Sequence, residues 1–162
     1  MSDNSGLDIF ISICLQYPEL NAVRYLADKE QIILQLACDE NEEKEVFESS
    51  IDKIRRSLFL FHKLQGSKPA LLELEYQQEE GINILSFGRD TNSISEAEIE
   101  LFVLLLRQEF HNLLLADKKT IVVADSVRKR IKNNLLKKME ESSGSTNFLA
   151  YRKEGRVIVF DR

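Results

Sequence analysis

The sequence predicts an α+β protein: an antiparallel sheet built from β-hairpins and packed against three or four helices, in the order α-ββ-α-ββ-α-α-ββ. Three observations predict it. Short segments of alternating polarity come in pairs joined by tight polar turns. Two long stretches carry apolar residues at three- and four-residue spacing. Hairpins and helices take turns along the chain, a pattern that puts helices on one side of an antiparallel sheet.

The helix over 93–117 is the expected centre of packing. Ser95 and Glu98 have the spacing of a capping box, and Ile94 and Ile99 that of a hydrophobic staple. Glu96, Glu98 and Glu100 suit the positive end of the helix dipole. Ile99, Phe102, Val103, Leu106, Phe110 and Leu113 form one stripe. Leu101, Leu104, Leu105 and Leu115 extend it round most of the circumference, so a second face must also meet protein. Arg107, Gln108, Glu109 and His111 interrupt the stretch, which excludes a membrane span of about 20 apolar residues.

In chain order, 1–6 is polar and reads as a disordered start. Residues 7–17 fit a short helix that stops before Pro18. Residues 22–28 and 31–38 read as a hairpin turning at Asp28-Lys29-Glu30, with Val23 and Tyr25, then Ile32, Leu34 and Leu36, on one face. Asp39 offers an N-cap for a helix over 40–65. Its stripe is Phe47, Ile51, Ile54, Leu58, Phe61 and Leu64, and Gly66 fits the residue just past its end. Residues 70–77 and 81–88 form a second hairpin, followed by a polar loop, 88–92. An amphipathic basic helix lies within 120–141, with Val127, Ile131, Leu135 and Met139 at four-residue steps. Residues 142–146 make a flexible linker. Residues 148–152 and 156–161 form a third hairpin turning at Glu154-Gly155. Val157, Ile158, Val159 and Phe160 are apolar on both strand faces, so that strand is expected to be covered. The order of elements up to residue 116 resembles that of roadblock-type or profilin-like sandwiches, and also that of small acidic secretion chaperones.

The 162 residues fit one domain, expected over 7–162 with an acidic core (7–116) and a basic helix plus hairpin (117–162). Up to residue 116 there are 10 Lys and Arg against 21 Asp and Glu, and beyond it 12 against 6. The overall charge of −5 speaks against a nucleic-acid binder as a whole. Two cysteines, Cys14 and Cys38, supply no disulfide framework, so a cytoplasmic setting is expected. The N-terminus lacks a positive region and Asp8 breaks its apolar run, so neither signal peptide nor membrane segment is read.

No phosphate-cradling loop, dinucleotide fingerprint, zinc-protease motif, paired-cysteine motif or nucleophile elbow occurs. No cofactor is expected. Cys14, Cys38, His62 and His111 lie on four different elements, unlike the short ligand spacings of structural zinc sites, and read as core thiols and helix-flank imidazoles. Glu73 and Glu75 share a strand face and read as its solvated side. Arg55, Arg56, Arg89 and Arg107 can gather on an anion, but pairing along a helix, such as Asp52 with Arg56, is the commoner use.

The leading expectation is a non-enzymatic protein acting by protein–protein contact, a homodimeric interaction, adaptor or regulatory module. Its candidate interface is Leu101, Leu104, Leu105, Leu115, Ile158 and Phe160. One alternative is a nucleic-acid-associated protein. It would use Arg128, Lys129, Arg130, Lys132, Lys137 and Lys138, with Asn133 and Asn134 near bases, though a solvated helix face or an acidic protein partner is the commoner use of such a set. A further alternative is a small-molecule sensor with a pocket between sheet and helices.

Overall fold

Hairpins can extend an antiparallel sheet only by pairing edge to edge, and three of them do so here. The computed structural model describes residues 5–17, 20–39, 43–79, 81–110, 129–130, 133, 147–153 and 156–161. The first hairpin, β1 (Ala22–Leu26) and β2 (Gln31–Asp39), occupies the middle of the sheet. The second, β3 (Leu72–Glu79) and β4 (Ile82–Asp90), joins it by pairing β4 with β2. The third, β5 (Asn147–Lys153) and β6 (Arg156–Asp161), joins on the other side through β1. The order is β3-β4-β2-β1-β5-β6, antiparallel throughout. The α+β class and the hairpin composition are therefore as the sequence predicts.

Alternation decides which sheet face is covered. Val23 and Tyr25, then Ile32, Leu34, Leu36 and Cys38, and Leu74, Leu85, Phe87, Phe148 and Ala150 are all buried on one face. Three helices lie there. In α1 (Ser5–Gln16), Phe10 meets Tyr25 and Phe148 at ring-centroid distances of 5.8 and 6.1 Å. In α2 (Lys44–Gln65), Phe47 lies 5.0 Å edge-on from Tyr76 of β3 and 5.2 Å from Phe110 of α3 (Glu96–Phe110). Phe102 of α3 lies 4.4 Å from Phe87 of β4. Burying each of these aromatic and aliphatic side chains contributes about 1.5–3 kcal/mol. The opposite sheet face carries Arg24, Ile33, Gln35, Glu73, Glu75 and Ser86 around a shallow hollow.

Local signals explain most boundaries. A 3-10 turn, Ala27–Lys29, joins β1 to β2, and Glu30 takes the left-handed conformation at φ 53°. Gly66 ends α2 in that same region at φ 70°, where glycine carries no Cβ penalty; its N–H donates to the carbonyl of Lys63 at 3.3 Å.

Four details differ from the sequence reading. First, α2 starts at Lys44 behind Glu43, whose side chain makes no capping bond; the expected cap at Asp39 is spent because β2 runs on through that residue. Second, the inner stripe of α2 goes from Leu58 to His62, not to Phe61 and Leu64. Four residues are closer to a whole turn of 3.6 than three, so His62 lands on the buried line while Leu64 is 79% exposed. Third, β4 extends two residues past Gly88 to Asp90, which draws Arg89 into the sheet. Fourth, only half of the expected capping box forms. The Glu98 N–H donates to Ser95 Oγ at 3.2 Å, but the Glu98 side chain turns inward. Among the described residues, no helix is long and apolar enough to cross a membrane.

Candidate functional site

Arg89 and Glu98 are both completely buried. Their placement follows from periodicity. Leu85, Phe87 and Arg89 alternate along the core face of β4, and Glu98 lies four residues before Phe102 on the core face of α3. Charges in such positions demand partners. Arg89 grips Glu98 at both ends, Nε to Oε2 at 2.8 Å and Nη2 to Oε1 at 2.9 Å. Its Nη1 donates to the Leu71 carbonyl at 2.8 Å and to the Asp90 carboxylate, and its Nη2 to Ser93 Oγ at 3.1 Å. Two-pronged guanidinium–carboxylate bonding is directional as well as strong, so it fixes the start of α3 against the end of β4.

The corner extends onto α2. His62 Nε2 lies 2.7 Å from Glu98 Oε2, and its Nδ1 lies 2.7 Å from Ser67 Oγ. Glu98 accepts, so Nε2 carries the shared proton, and in the neutral ring Nδ1 accepts from the Ser67 hydroxyl. Burial pushes the Asp90 pKa up, but Ser93, the Leu71 N–H and Arg89 together outweigh it and hold that carboxyl below its ordinary value.

Outside this corner a cleft of about 580 Å³ opens, lined by Phe59, His62, Lys63, Gly66, Ser67, Lys68, Pro69 and Leu72. The polar corner supplies its floor at His62 and Ser67. Phe59, Pro69 and Leu72 make apolar walls, and Lys63 and Lys68 are exposed beside it.

A second feature lies on the other side of α2. Val46, Leu60 and Leu64 are 50%, 55% and 79% exposed. With Ser49, Lys53 and Ser57 they run at three- and four-residue steps along one line, away from the buried line of Phe47, Ile51, Ile54 and Leu58.

Of the residues expected at an interface, Leu101 and Leu105 are partly buried and pack against the core. Leu104 is half exposed and Ile158 half-buried in β6. Phe160 is paired with Leu149 across β5 and β6, and Val159 packs against the core. Leu115 lies outside the described residues. Of the basic set, Lys129 and Arg130 are helical and exposed, as is Asn133; Arg128, Lys132, Lys137, Lys138 and Asn134 lie outside the described residues. Glu73 and Glu75 are exposed. Arg55 pairs with Asp52 at 2.6 Å and reaches the Leu74 carbonyl, while Arg56 Nε donates to the Asp52 carbonyl. Arg89 is thus held by Glu98 and Asp90, away from the exposed Arg55 and Arg56.

The His62–Ser67–Glu98–Arg89 corner was missed by sequence reasoning. Two signals pointed to it: a histidine one turn past Leu58 on a buried stripe, and an arginine in step with Leu85 and Phe87. Among the described residues, no group of three or more His, Cys, Asp and Glu is arranged to hold a metal ion. No family model, curated protein or solved structure matches the chain.

Proposed function

We propose that the chain is a protein-contact module that works as a homodimer, the two copies pairing α2 against α2 in antiparallel sense. The observation that supports this is the outward stripe of α2: Leu60 and Leu64 are more than half exposed one turn apart, with Val46 at the other end. A helix of 22 residues is about 33 Å long, so the stripe spans the molecule.

The stripe is self-complementary about its middle. An antiparallel pairing sets Val46 opposite Leu64 of the second copy, Ser49 opposite Leu60, and Lys53 opposite Ser57. Small serines in that line let two helices approach closely. The flank matches as well, because it is acidic early (Glu45, Glu48, Asp52) and basic late (Arg56, Lys63). Antiparallel pairing places Asp52 near Arg56 of the second copy, and Glu45 near Lys63. A standard interface buries about 800 Å² per partner, more than Val46, Leu60 and Leu64 alone supply, so the flanking charges must take part as well. The cytoplasmic setting is part of this reading and rests on the sparse cysteines.

The test is the mass in solution. The wild type should weigh twice 18.7 kDa by light scattering. Leu60→Glu with Leu64→Glu should give a monomer that keeps its circular dichroism spectrum. Asp52→Arg should weaken the dimer, and adding Arg56→Asp should restore it. A wild type that stays monomeric at high concentration would sink the proposal, as would a dimer indifferent to both leucine changes.

A further inference from the structure

The cleft at the end of α2 combines features that a structural role alone does not require. Its walls are apolar, its floor ends in a polar chain buried behind it, and two unpaired-looking charges of one sign stand beside it. Replacing buried ion pairs by apolar residues often leaves a fold as stable or more so. An apolar cleft with a few fixed polar groups converging on it is instead the usual build of a small-molecule site.

The order Ser67–His62–Glu98 resembles the hydrogen-bond chain of a hydrolase, but the backbone around Ser67 is committed elsewhere. The Gly66 N–H donates to the Lys63 carbonyl at 3.3 Å and the Ser67 N–H to the His62 carbonyl at 3.0 Å, both capping α2. These amides do not stabilise an oxyanion beside the hydroxyl. The chain instead orients Ser67 Oγ rigidly at the floor.

We propose that the cleft binds a small amphipathic carboxylate. Its acid group lies at the Lys68 ammonium, and its apolar body lies between Phe59, Pro69 and Leu72. Charge selects the class. The end of α2 contributes about half a negative charge, which Lys63 and Lys68 more than offset, leaving a site suited to one negative charge. Among the described residues of the lining there is no arginine, and the Gly66 and Ser67 amides are taken by the helix end, so nothing there favours a phosphate. The volume lies within the range of small-molecule sites, about 300–1,000 Å³. This proposal does not depend on the dimer, because Lys68 alone outweighs the half charge of the helix end when Lys63 faces Glu45 of a second copy, and Ser67, Lys68, Pro69 and Leu72 lie beyond the α2 stripe.

Octanoate is the probe, with octanamide as its uncharged match, titrated into the isotope-labelled wild-type protein and followed by amide chemical shifts. A ligand of this size in an open cleft should bind at about 1 mM. Saturable shifts are expected over 66–72, with octanamide about tenfold weaker for want of a charge-assisted bond. Lys68→Ala should weaken octanoate by about tenfold without changing the melting temperature, since Lys68 is exposed. Equal binding of octanamide, indifference to Lys68→Ala, or no saturable shift up to about 10 mM overturns the proposal. Repeating the titration on Leu60→Glu/Leu64→Glu separates it from the dimer: retained binding there is expected, and its loss would tie the cleft to the paired state and overturn its independence.

Discussion

The two apolar lines of α2 have nearly the same chemistry and opposite surroundings. Phe47, Ile51, Ile54 and Leu58 are buried against β3 and α3, and their line ends at His62 in a network of fixed hydrogen bonds. Val46, Leu60 and Leu64 face outward from the same helix. The inner line holds the monomer together; among the described residues, the apolar side chains of the outer line stay exposed. The difference teaches that helical amphipathicity has to be read twice, once for the stripe that folds the chain and once for any stripe left over.

The largest effect should come where the inner line ends. Glu98→Ala leaves Arg89 buried beside Asp90 without its two-pronged partner, and should destabilise the fold by about 3–5 kcal/mol in urea unfolding. A loss below about 1 kcal/mol would show that water readily reaches that corner. Next is a matched pair on the two lines. Leu58→Ala should cost about 2–5 kcal/mol by cavity formation, whereas Leu64→Ala should change monomer stability by no more than about 0.5 kcal/mol. Equal losses, measured in the monomeric background, would erase the distinction between the lines. A smaller change is expected at the helix end that both lines share. Gly66→Ala meets no atom within 4 Å, so only the positive φ is penalised, by about 1 kcal/mol.

The smallest effect is one of pH. The folded Asp90 carboxyl titrates below its ordinary value, held there against its own burial by Ser93, the Leu71 N–H and Arg89. Its contribution is therefore fully present above the unfolded carboxylate pKa of about 3.9 and is lost as pH falls through the lower folded value. Stability should decline on that acid limb, and Asp90→Asn should flatten it. An unchanged limb would assign the acid sensitivity to other carboxylates.

Much of the fold was legible because its signals are local. Alternation marked Val23 and Tyr25, Ile32 to Leu36, and Leu72 to Tyr76 as strand residues, and Gly66 marked the end of α2. The site was less legible because its logic is cooperative. Glu98 reads as a capping residue from its distance to Ser95, and nothing local reveals that Arg89, nine residues earlier, draws it inward. His62 reads as a tolerated flank residue until Glu98 and Ser67 are brought to its two nitrogens. Leu60 and Leu64 are hard to read as surface because three-residue steps past Leu58 carry the core line to Phe61 and Leu64, whereas its true successor is His62. The apolar surplus expected on the helix around 93–117 has a counterpart on its neighbour: Leu101 and Leu105 are half taken up by the core, Leu104 is half exposed, and Leu64 of α2 is 79% exposed.

The pairing of β5 with β1 has a consequence for biosynthesis. Phe10 near the start of the chain rests on Phe148 as well as on Tyr25. A ribosome delivers Phe10 well before Phe148, so α1 emerges long before this part of its cover exists. During that interval β1 has an unpaired edge and α1 an uncovered aromatic ring. From the end of β4 at Asp90 until β5 begins at Asn147, the nascent chain holds two hairpins awaiting the third, and that interval is when a chaperone or a second nascent copy has its best chance to engage it.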